Sequence, residues 1–543
     1  MATQTISTQP IEGQKPGTSG LRKKTKVFMT PHFLENFIQS TFNAIGGVKG
    51  KSLVVGGDGR FFGQEAAQVI LKMASANGAV KVIIGQQALL STPAASNLIR
   101  KYKTDGGIIM SASHNPGGID EDFGVKFNSD NGGPAAESIT DKIFAETTSL
   151  SEYLISDSAD VNLNTLGTTK LDDMIIEVID PVADYAILME ELFDFPLIKK
   201  MFAGGFKMRF DAMNAITGPY AKVILENKLG AAKGTVVHGV PLPDFGGMHP
   251  DPNPTWAHEL WDEMMGDNAP DFGAASDGDG DRNMIVGKHA YVGPSDSLAI
   301  LAEHATKVKA YAKGLAGVAR SMPTGAAVDR VAKDLGIACF ETPTGWKFFG
   351  NLLDAERVTL CGEESFGTGS DHVREKDGLW TVLCWLNILA VTGQSVQQLM
   401  TAHWQKFGRT YFSRHDYEAI PSDDANASMN DLRDRLSSLA GQKAEEGVIA
   451  SADEFSYTDP VDGSVSNNQG FRIIFESGSR IIARLSGTGT QGATLRLYLE
   501  RYVPNSGELL LETQTALEPI IHSANALLKL DQLKSHTKPD VIT

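Results

Sequence analysis

One order of elements returns three times before residue 370, and it constrains the fold more than any other feature of the chain. In the first round an apolar run at 52–55 leads through the loop Gly56-Gly-Asp58-Gly-Arg60 into a helical period over 64–76, with Gly78 as its stop. A second apolar run at 80–85, a helix over 93–102 and a closing run at 107–110 follow, and the closing run delivers Ser111-Ala-Ser113-His-Asn-Pro-Gly-Gly118. The second round has strands at 207–210 and 235–238 around a helix at 219–229, and its closing strand at 272–275 delivers Asp277-Gly-Asp279-Gly-Asp281-Arg282. The third has strands at 317–320 and 337–340 around a helix at 325–335, and its closing strand at 358–361 delivers Gly362-Glu363-Glu364-Ser365-Phe366-Gly367. Strands alternating with helices imply an α/β fold, and polar loops at the strands' C-terminal ends are where such folds place reacting groups.

After about residue 403 the period changes. Runs at 480–485 and 493–499 alternate with period two and are joined by Ser486-Gly487-Thr488-Gly-Thr490, which implies a smaller α+β unit. A chain of 543 residues exceeds one core. The expectation is four domains at 1–190, 191–303, 304–405 and 406–543, the first three related mixed α/β units.

Charge narrows the function. The net charge of −17 opposes general attraction to nucleic acid or an anionic membrane, so an anionic ligand would need basic residues gathered locally. The most apolar stretch, 379–393, is too short to span a bilayer and reads as a buried helix. The start is polar and shows no signal-peptide pattern, and three cysteines without close metal-ligand spacing fit a reducing, cytoplasmic setting.

Carboxylates alternating with glycine at 277, 279 and 281 suit a hard divalent cation, which prefers oxygen ligands shared with a substrate phosphate. An EF-hand would need Gly and Glu where Arg282 and Lys288 stand. Gly487-Thr-Gly489-Thr-Gln-Gly492 matches a dinucleotide fingerprint, but a strand follows it where a helix is required. What remains is a hydroxyl-rich turn between Arg484 and Arg496, suited to gripping phosphate. Gly50-Lys51-Ser52 lacks the earlier glycine of a P-loop. Ser113 and His114 are adjacent, a poor basis for a hydrolase triad. Lys126 and Lys376 read either as snorkelling surface lysines or as groups that orient a phosphate or move a proton.

Taken together, these loops resemble those of the α-D-phosphohexomutase family: SASHNPGG its phosphoserine loop, DGDGDR its metal loop, GEESFG its sugar loop and RLSGTGT its phosphate-binding loop. GTSGLR, which ends in Arg22, TPTGWKFFG, which contains Thr344 and Gly345, and REKDG around Lys376 are also similar, in the family's order over nearly the whole chain. The resemblance implies four domains in a heart-shaped arrangement. It also implies interconversion of glucose 1-phosphate and glucose 6-phosphate through glucose 1,6-bisphosphate, with the sugar loop favouring glucose over mannose or amino sugars. Small hexose phosphates would be the partners, and a monomer or dimer the state.

By the same resemblance Ser113 carries the phosphoryl group, and together with Asp277, Asp279 and Asp281 it holds one Mg²⁺. Arg22, His114, Lys126, Arg282 and Lys376 line the reaction centre. Thr344, Gly345, Glu363 and Ser365 contact the sugar side, and Arg484, Ser486, Gly487, Thr488 and Arg496 hold the idle phosphate. Two departures stand out: Ser111 replaces a more usual Thr, and the acidic run Asp120-Glu121-Asp122 is expected to bear on metal affinity.

Overall fold

Each closing strand lies inside its sheet, and in each case the polar loop turns the chain back into an antiparallel neighbour. The structure, a computed structural model, describes residues 3–17, 19–489, 492–532 and 538–543; the side chains of 487–489 and 492 are also outside the description. Gly107–Met110 runs parallel to Ser52–Gly57 and antiparallel to Asp122–Asn128. Phe272–Ser276 runs parallel to Met208–Asp211 and antiparallel to Asn283–Gly287. Leu360–Gly362 runs parallel to Gly317–Ser321 and antiparallel to Thr368–Ser370. All three closing strands are buried throughout, which explains their continuous apolar runs.

The antiparallel partners were not resolved in the sequence as strands of these sheets, and they matter. They place Lys126 and Asn283 on the sheets, and they hold both ends of each functional loop on rigid elements. The first sheet is extended further by Leu21–Lys24, Lys81–Leu89, Met174–Ile179 and Gly167–Leu171 to seven strands. A separate pair joins Thr3–Ser7 to Glu152–Ser156. Boundaries shift elsewhere: the helix expected over 219–229 is a short α-helix, Thr217–Ala221, continued by the π-helical Lys222–Lys228. The last unit also carries a charged helix, Ser422–Leu439.

One continuous core serves the first three units. One face of the first sheet (Val54, Ile83, Ile109), strands of the second and third (Phe210, Phe272, Val318), and the helix Gly378–Thr392 with Trp380 and Trp385 all pack into it. That helix is buried, as its apolar sequence predicts, and no single helix among the described residues is long and apolar enough to cross a membrane. The C-terminal unit keeps its own core, with Leu432, Ile473, Leu497 and Leu517 between its six-stranded sheet and its helices Ser422–Leu439 and Thr513–Leu528. It meets the third unit through polar contacts and through a small apolar cluster in which Met322 packs with Phe455, Tyr457, Ile482 and Tyr498.

Candidate active site

Ser113 occupies a left-handed backbone position, φ 53°, in the loop after Gly107–Met110, and is buried. That conformation is uncommon for a side chain other than Asn or Asp, so neighbours must hold it. The Ser111 hydroxyl accepts from the Ser113 amide at 2.7 Å. The Ser113 carbonyl accepts from Arg60 Nη2 at 2.9 Å, and Arg60 is itself fixed by Asp58 at 2.9 Å and by the Asp122 carbonyl at 2.8 Å. The Asp58-Gly59-Arg60 loop, at the end of a strand beside the closing one, is thus a brace for the serine.

The Ser113 hydroxyl donates to Asp277 Oδ2 at 3.0 Å, joining the loops of the first and second sheets. Glycine makes this approach possible, because a Cβ at Gly278 would come within 2.3 Å of the Ser113 carbonyl oxygen. Carboxylate oxygens of Asp277, Asp279 and Asp281 lie within 4.8 Å of one another, and all three residues are buried. Asp277 Oδ1 accepts from the amides of Gly280 and Arg282, and Asp279 Oδ2 from Thr92 at 2.7 Å. Asp279 Oδ1 and Asp281 Oδ1 are buried without a hydrogen-bond donor. Orphaned carboxylate oxygens facing an all-oxygen donor set fit a hard divalent cation.

Electrostatics agree. Burial, then Asp281 and Asp279, push the Asp277 carboxyl well above its ordinary range, a cost that a cation would remove. Burial also pushes Asp279 upward, but Lys126, the Thr92 hydroxyl, Lys376 and Arg22 outweigh it and leave it lowered. Neither lysine is a surface residue. Lys126 Nζ pairs with Glu375 at 3.0 Å, and Lys376 Nζ lies 3.3 Å from Asp281 and 3.9 Å from Glu363. Arg282 reaches Asp251 at 3.3 Å, and the buried Nε atoms of Arg22 and Arg282 have no acceptor among the described residues. Burial, with Arg282, Arg22, His249 and Lys376 around it, drives the His114 imidazole well below its usual pKa. Its Nδ1 is 3.4 Å from Ser113 Oγ, and its ring stacks on His249 at 6.2 Å.

Ser113, the metal-loop residue Asp281, Arg22, His114, Lys126, Arg282 and Lys376 line one cavity of about 310 Å³. Thr344, Gly345, Glu363 and Ser365 face it from the third unit, and Arg484 and Arg496 from the fourth. Glu363 Oε1 accepts from the Gly345 amide at 3.0 Å, tying two loops of the third unit together. Arg484 Nη1 donates to Thr344 Oγ1 at 2.6 Å across the boundary between the third and fourth units. Ser486 follows on the same strand, Arg480–Gly489, and the side chains of Gly487 and Thr488 lie outside the described residues.

The acidic run lies beside the basic strand that precedes it. Asp120 pairs with Lys26, and Glu121 and Asp122 with Lys24 at 3.2 and 3.1 Å, and among the described residues the candidate cation cluster consists of Asp277, Asp279 and Asp281. Sequence reading also missed Asp58, Arg60, His249, Asp251, Glu375 and Arg414. Arg414 lines the cavity as a third guanidinium from the fourth unit. Of these, the Asp58-Gly-Arg60 loop carried a signal, since it sits at the C-terminal end of a strand as the other polar loops do, and Glu375 lies within the REKDG stretch already singled out.

The phosphoglucomutase/phosphomannomutase alpha/beta/alpha domains I, II and III match residues 13–154, 183–292 and 294–407. The phosphoglucomutase-1 C-terminal domain matches 409–540. The chain is 59% identical over 539 residues to a phosphoglucomutase of Rhizobium radiobacter, covering 99% of both chains. It is 48% identical over 562 residues to phosphoglucomutase 1 of Drosophila melanogaster, covering all of both. The open form of the Paramecium exocytosis-sensitive phosphoprotein parafusin, a phosphoglucomutase, superposes with a TM-score of 0.93 at 47% identity, over 100% of this chain and 99% of that one.

Proposed function

The chain belongs to the phosphoglucomutase/phosphomannomutase family and interconverts α-D-glucose 1-phosphate and glucose 6-phosphate, and we propose that it does so with Ser113 as the phosphoryl carrier. The observation that carries this assignment is the 3.0 Å contact of the Ser113 hydroxyl with Asp277, in a cavity that the sugar-side loops and the arginines of the fourth unit also line.

In this reading the Ser113 phosphoryl passes to the free hydroxyl of the bound sugar phosphate: a bond forms from phosphorus to the sugar oxygen and the bond to Ser113 Oγ breaks. The product is glucose 1,6-bisphosphate, which returns its other phosphoryl group to Ser113 after turning over. Arg60 and Ser111 hold the serine loop, so little rearrangement accompanies transfer. Arg22, Arg282 and Lys126 surround the transferring group with positive charge. Burial lowers the Lys376 pKa, but Asp281 and Glu363 outweigh it and leave it raised, so its ammonium adds positive charge beside the attacking hydroxyl, whose proton ends on the Ser113 oxygen as the bond to phosphorus breaks. Glu363 and Ser365 take sugar hydroxyls, with Thr344 and Gly345 beside them. Arg484, Ser486, Gly487, Thr488 and Arg496 hold the phosphate that is not transferred.

Asp277, Asp279, Asp281 and the Ser113 oxygen are the residues that would hold one Mg²⁺. When bound, the ion supplies positive charge to the phosphoryl oxygens and orients the phosphate for in-line transfer. Small hexose phosphates are the partners, and the acidic surface argues against nucleic acid or membrane. A monomer or dimer in the cytoplasm, with domain boundaries near residues 190, 303 and 405, completes the proposal. A coupled assay for glucose 6-phosphate formed from glucose 1-phosphate, with and without trace bisphosphate, tests it: activity stimulated by bisphosphate is expected, and none under either condition would overturn it.

A further inference from the structure

A buried guanidinium of the C-terminal unit reaches into the third unit at the turn that holds the sugar-side loop. Arg480 lies four residues before Arg484 on the strand Arg480–Gly489, so their side chains fall on one face of the sheet. Nη2 of Arg480 donates to the Thr324 carbonyl at 2.7 Å, Nη1 to Glu341 at 3.0 Å, and its Nε to Glu500 at 2.7 Å. Glu500 is the cross-strand partner of Arg480, and its other oxygen accepts from the Ala326 amide at 2.9 Å. Arg480 and Glu500 therefore clasp both sides of the turn 324–326, and both are almost wholly buried.

The same turn carries a second set of bonds, pointing the other way. The Thr324 hydroxyl accepts from the Glu364 amide at 2.9 Å, and the Ser321 hydroxyl donates to Glu364 Oε2 at 2.9 Å. Glu364 is buried and turned towards these hydroxyls, between Glu363 and Ser365 in the loop that follows Leu360–Gly362. A short chain of hydrogen bonds thus runs from Arg480 through Thr324 to the backbone between the two residues assigned to the sugar. This polar clasp and the Arg484 to Thr344 contact, beside the apolar contact of Met322 with Ile482 and Tyr498, register its strand against the third unit.

We propose that Arg480 and Glu364 are positioning residues that set the sugar-side loop and the Arg484 clamp at a fixed separation, with Thr324 as the link. The proposal rests on the assignment of Glu363, Ser365 and Arg484 to substrate. Neither Arg480 nor Glu364 touches the reacting oxygen of Ser113, so their loss weakens substrate binding and leaves the transfer step and the metal site largely alone.

Arg480→Met breaks one end of the link, and Thr324→Val the other, while keeping the Thr324 carbonyl. Each is expected to raise KM for glucose 1-phosphate about 10-fold with kcat within about 3-fold, as loss of uniform binding requires. The double variant is expected to raise it no further than the worse single change. Arg480→Lys, which keeps a charge beside Glu500 but cannot fork to both neighbours, should recover part of the loss and stands in if the methionine variant does not fold. Amide hydrogen exchange without substrate gives a readout independent of the enzymatic reading. Faster exchange is expected at 363–367 and unchanged exchange at 277–282. Additive effects of the two single changes, or unchanged exchange at 363–367, would overturn the link. Faster exchange there with unchanged KM would instead refute the assignment of that loop to substrate, and with it the positioning role.

Discussion

Arg484 and Arg496 stand directly opposite one another on neighbouring antiparallel strands. Like charges in that register destabilise a sheet, and among the described residues Arg496 alone of the two has a carboxylate near, Asp416 at 3.6 Å. The pair becomes favourable once an anion sits between the two guanidinium groups, which bind phosphate through paired N–H donors. With Ser113 as the proposed carrier, the sugar would present each end to it in turn, and one clamp would have to serve both orientations. Arg484→Ala should therefore weaken use of glucose 1-phosphate and glucose 6-phosphate by similar factors, at a cost of about 1.5–3 kcal/mol, or roughly one to two decades. Kinetics in both directions check this. A loss confined to one substrate would remove Arg484 from the shared clamp.

Ser113→Ala should abolish the mutase reaction while leaving the melting temperature within a few degrees of the parent, since the hydroxyl makes only two side-chain contacts, to Asp277 and His114. Peptide mass spectrometry of the active protein should place phosphate on Ser113. Phosphate found on a different residue in active enzyme contradicts the assignment.

Chelation should stop turnover reversibly, and Asp279→Asn should do so with little rescue by added Mg²⁺. The substitution exchanges a buried carboxylate, whose Oδ1 has no donor of its own, for an amide with weaker attraction to a cation. Isothermal titration with Mg²⁺ alone measures the site without any assay of activity, and unchanged affinity in the variant would exclude Asp279 as a ligand.

Acid should loosen the C-terminal unit before it unfolds the rest. Burial raises the Glu341 carboxyl, but Arg320, Arg480 and Arg472 around it leave its pKa below the ordinary 4.5. A carboxylate depressed on folding contributes stability that is fully present above its unfolded pKa and is lost as pH falls through the folded value. Docking of the fourth unit on the third should thus hold at neutral pH and weaken progressively below about pH 4.5. Small-angle scattering across pH 7 to about pH 3.5 should show an increase in radius that Glu341→Gln already displays near neutrality. No difference between the two proteins would exclude Glu341 as the acid-sensitive contact.

What could be read from sequence, and what could not, follows from distance along the chain. Ser113, Asp277, Asp279, Asp281 and Glu363 sit in contiguous loops where glycine, carboxylate and hydroxyl spacing states a chemistry. The burial of Lys126 depends on Glu375, 249 residues away, and no local period can report that pairing. Arg414 reaches the cavity only because its strand, Arg409–Ile420, pairs with Gly492–Val503. The antiparallel strands were hidden for a related reason: Asp122–Asn128 has Lys126 and Asn128 in its interior positions, and their buried partners excuse a polarity that ordinarily marks a surface.

The brace behind Ser113 offers the last test. Asp58 and Arg60 form an ion pair at 2.9 Å with both side chains almost fully buried, and Arg60 carries the Ser113 carbonyl. Removing one member of such a pair leaves an uncompensated charge in the interior, typically at a cost of about 3–5 kcal/mol, whereas removing both is far milder. Asp58→Ala should therefore lower stability by that order in denaturant unfolding. The double change Asp58→Asn with Arg60→Met should restore most of the stability but not the activity, because the serine carbonyl has lost its donor and its left-handed backbone is no longer held. If the double variant regained full turnover along with its stability, the brace would be structural only, and the placement of Ser113 would have to come from Ser111 and Asp277 alone.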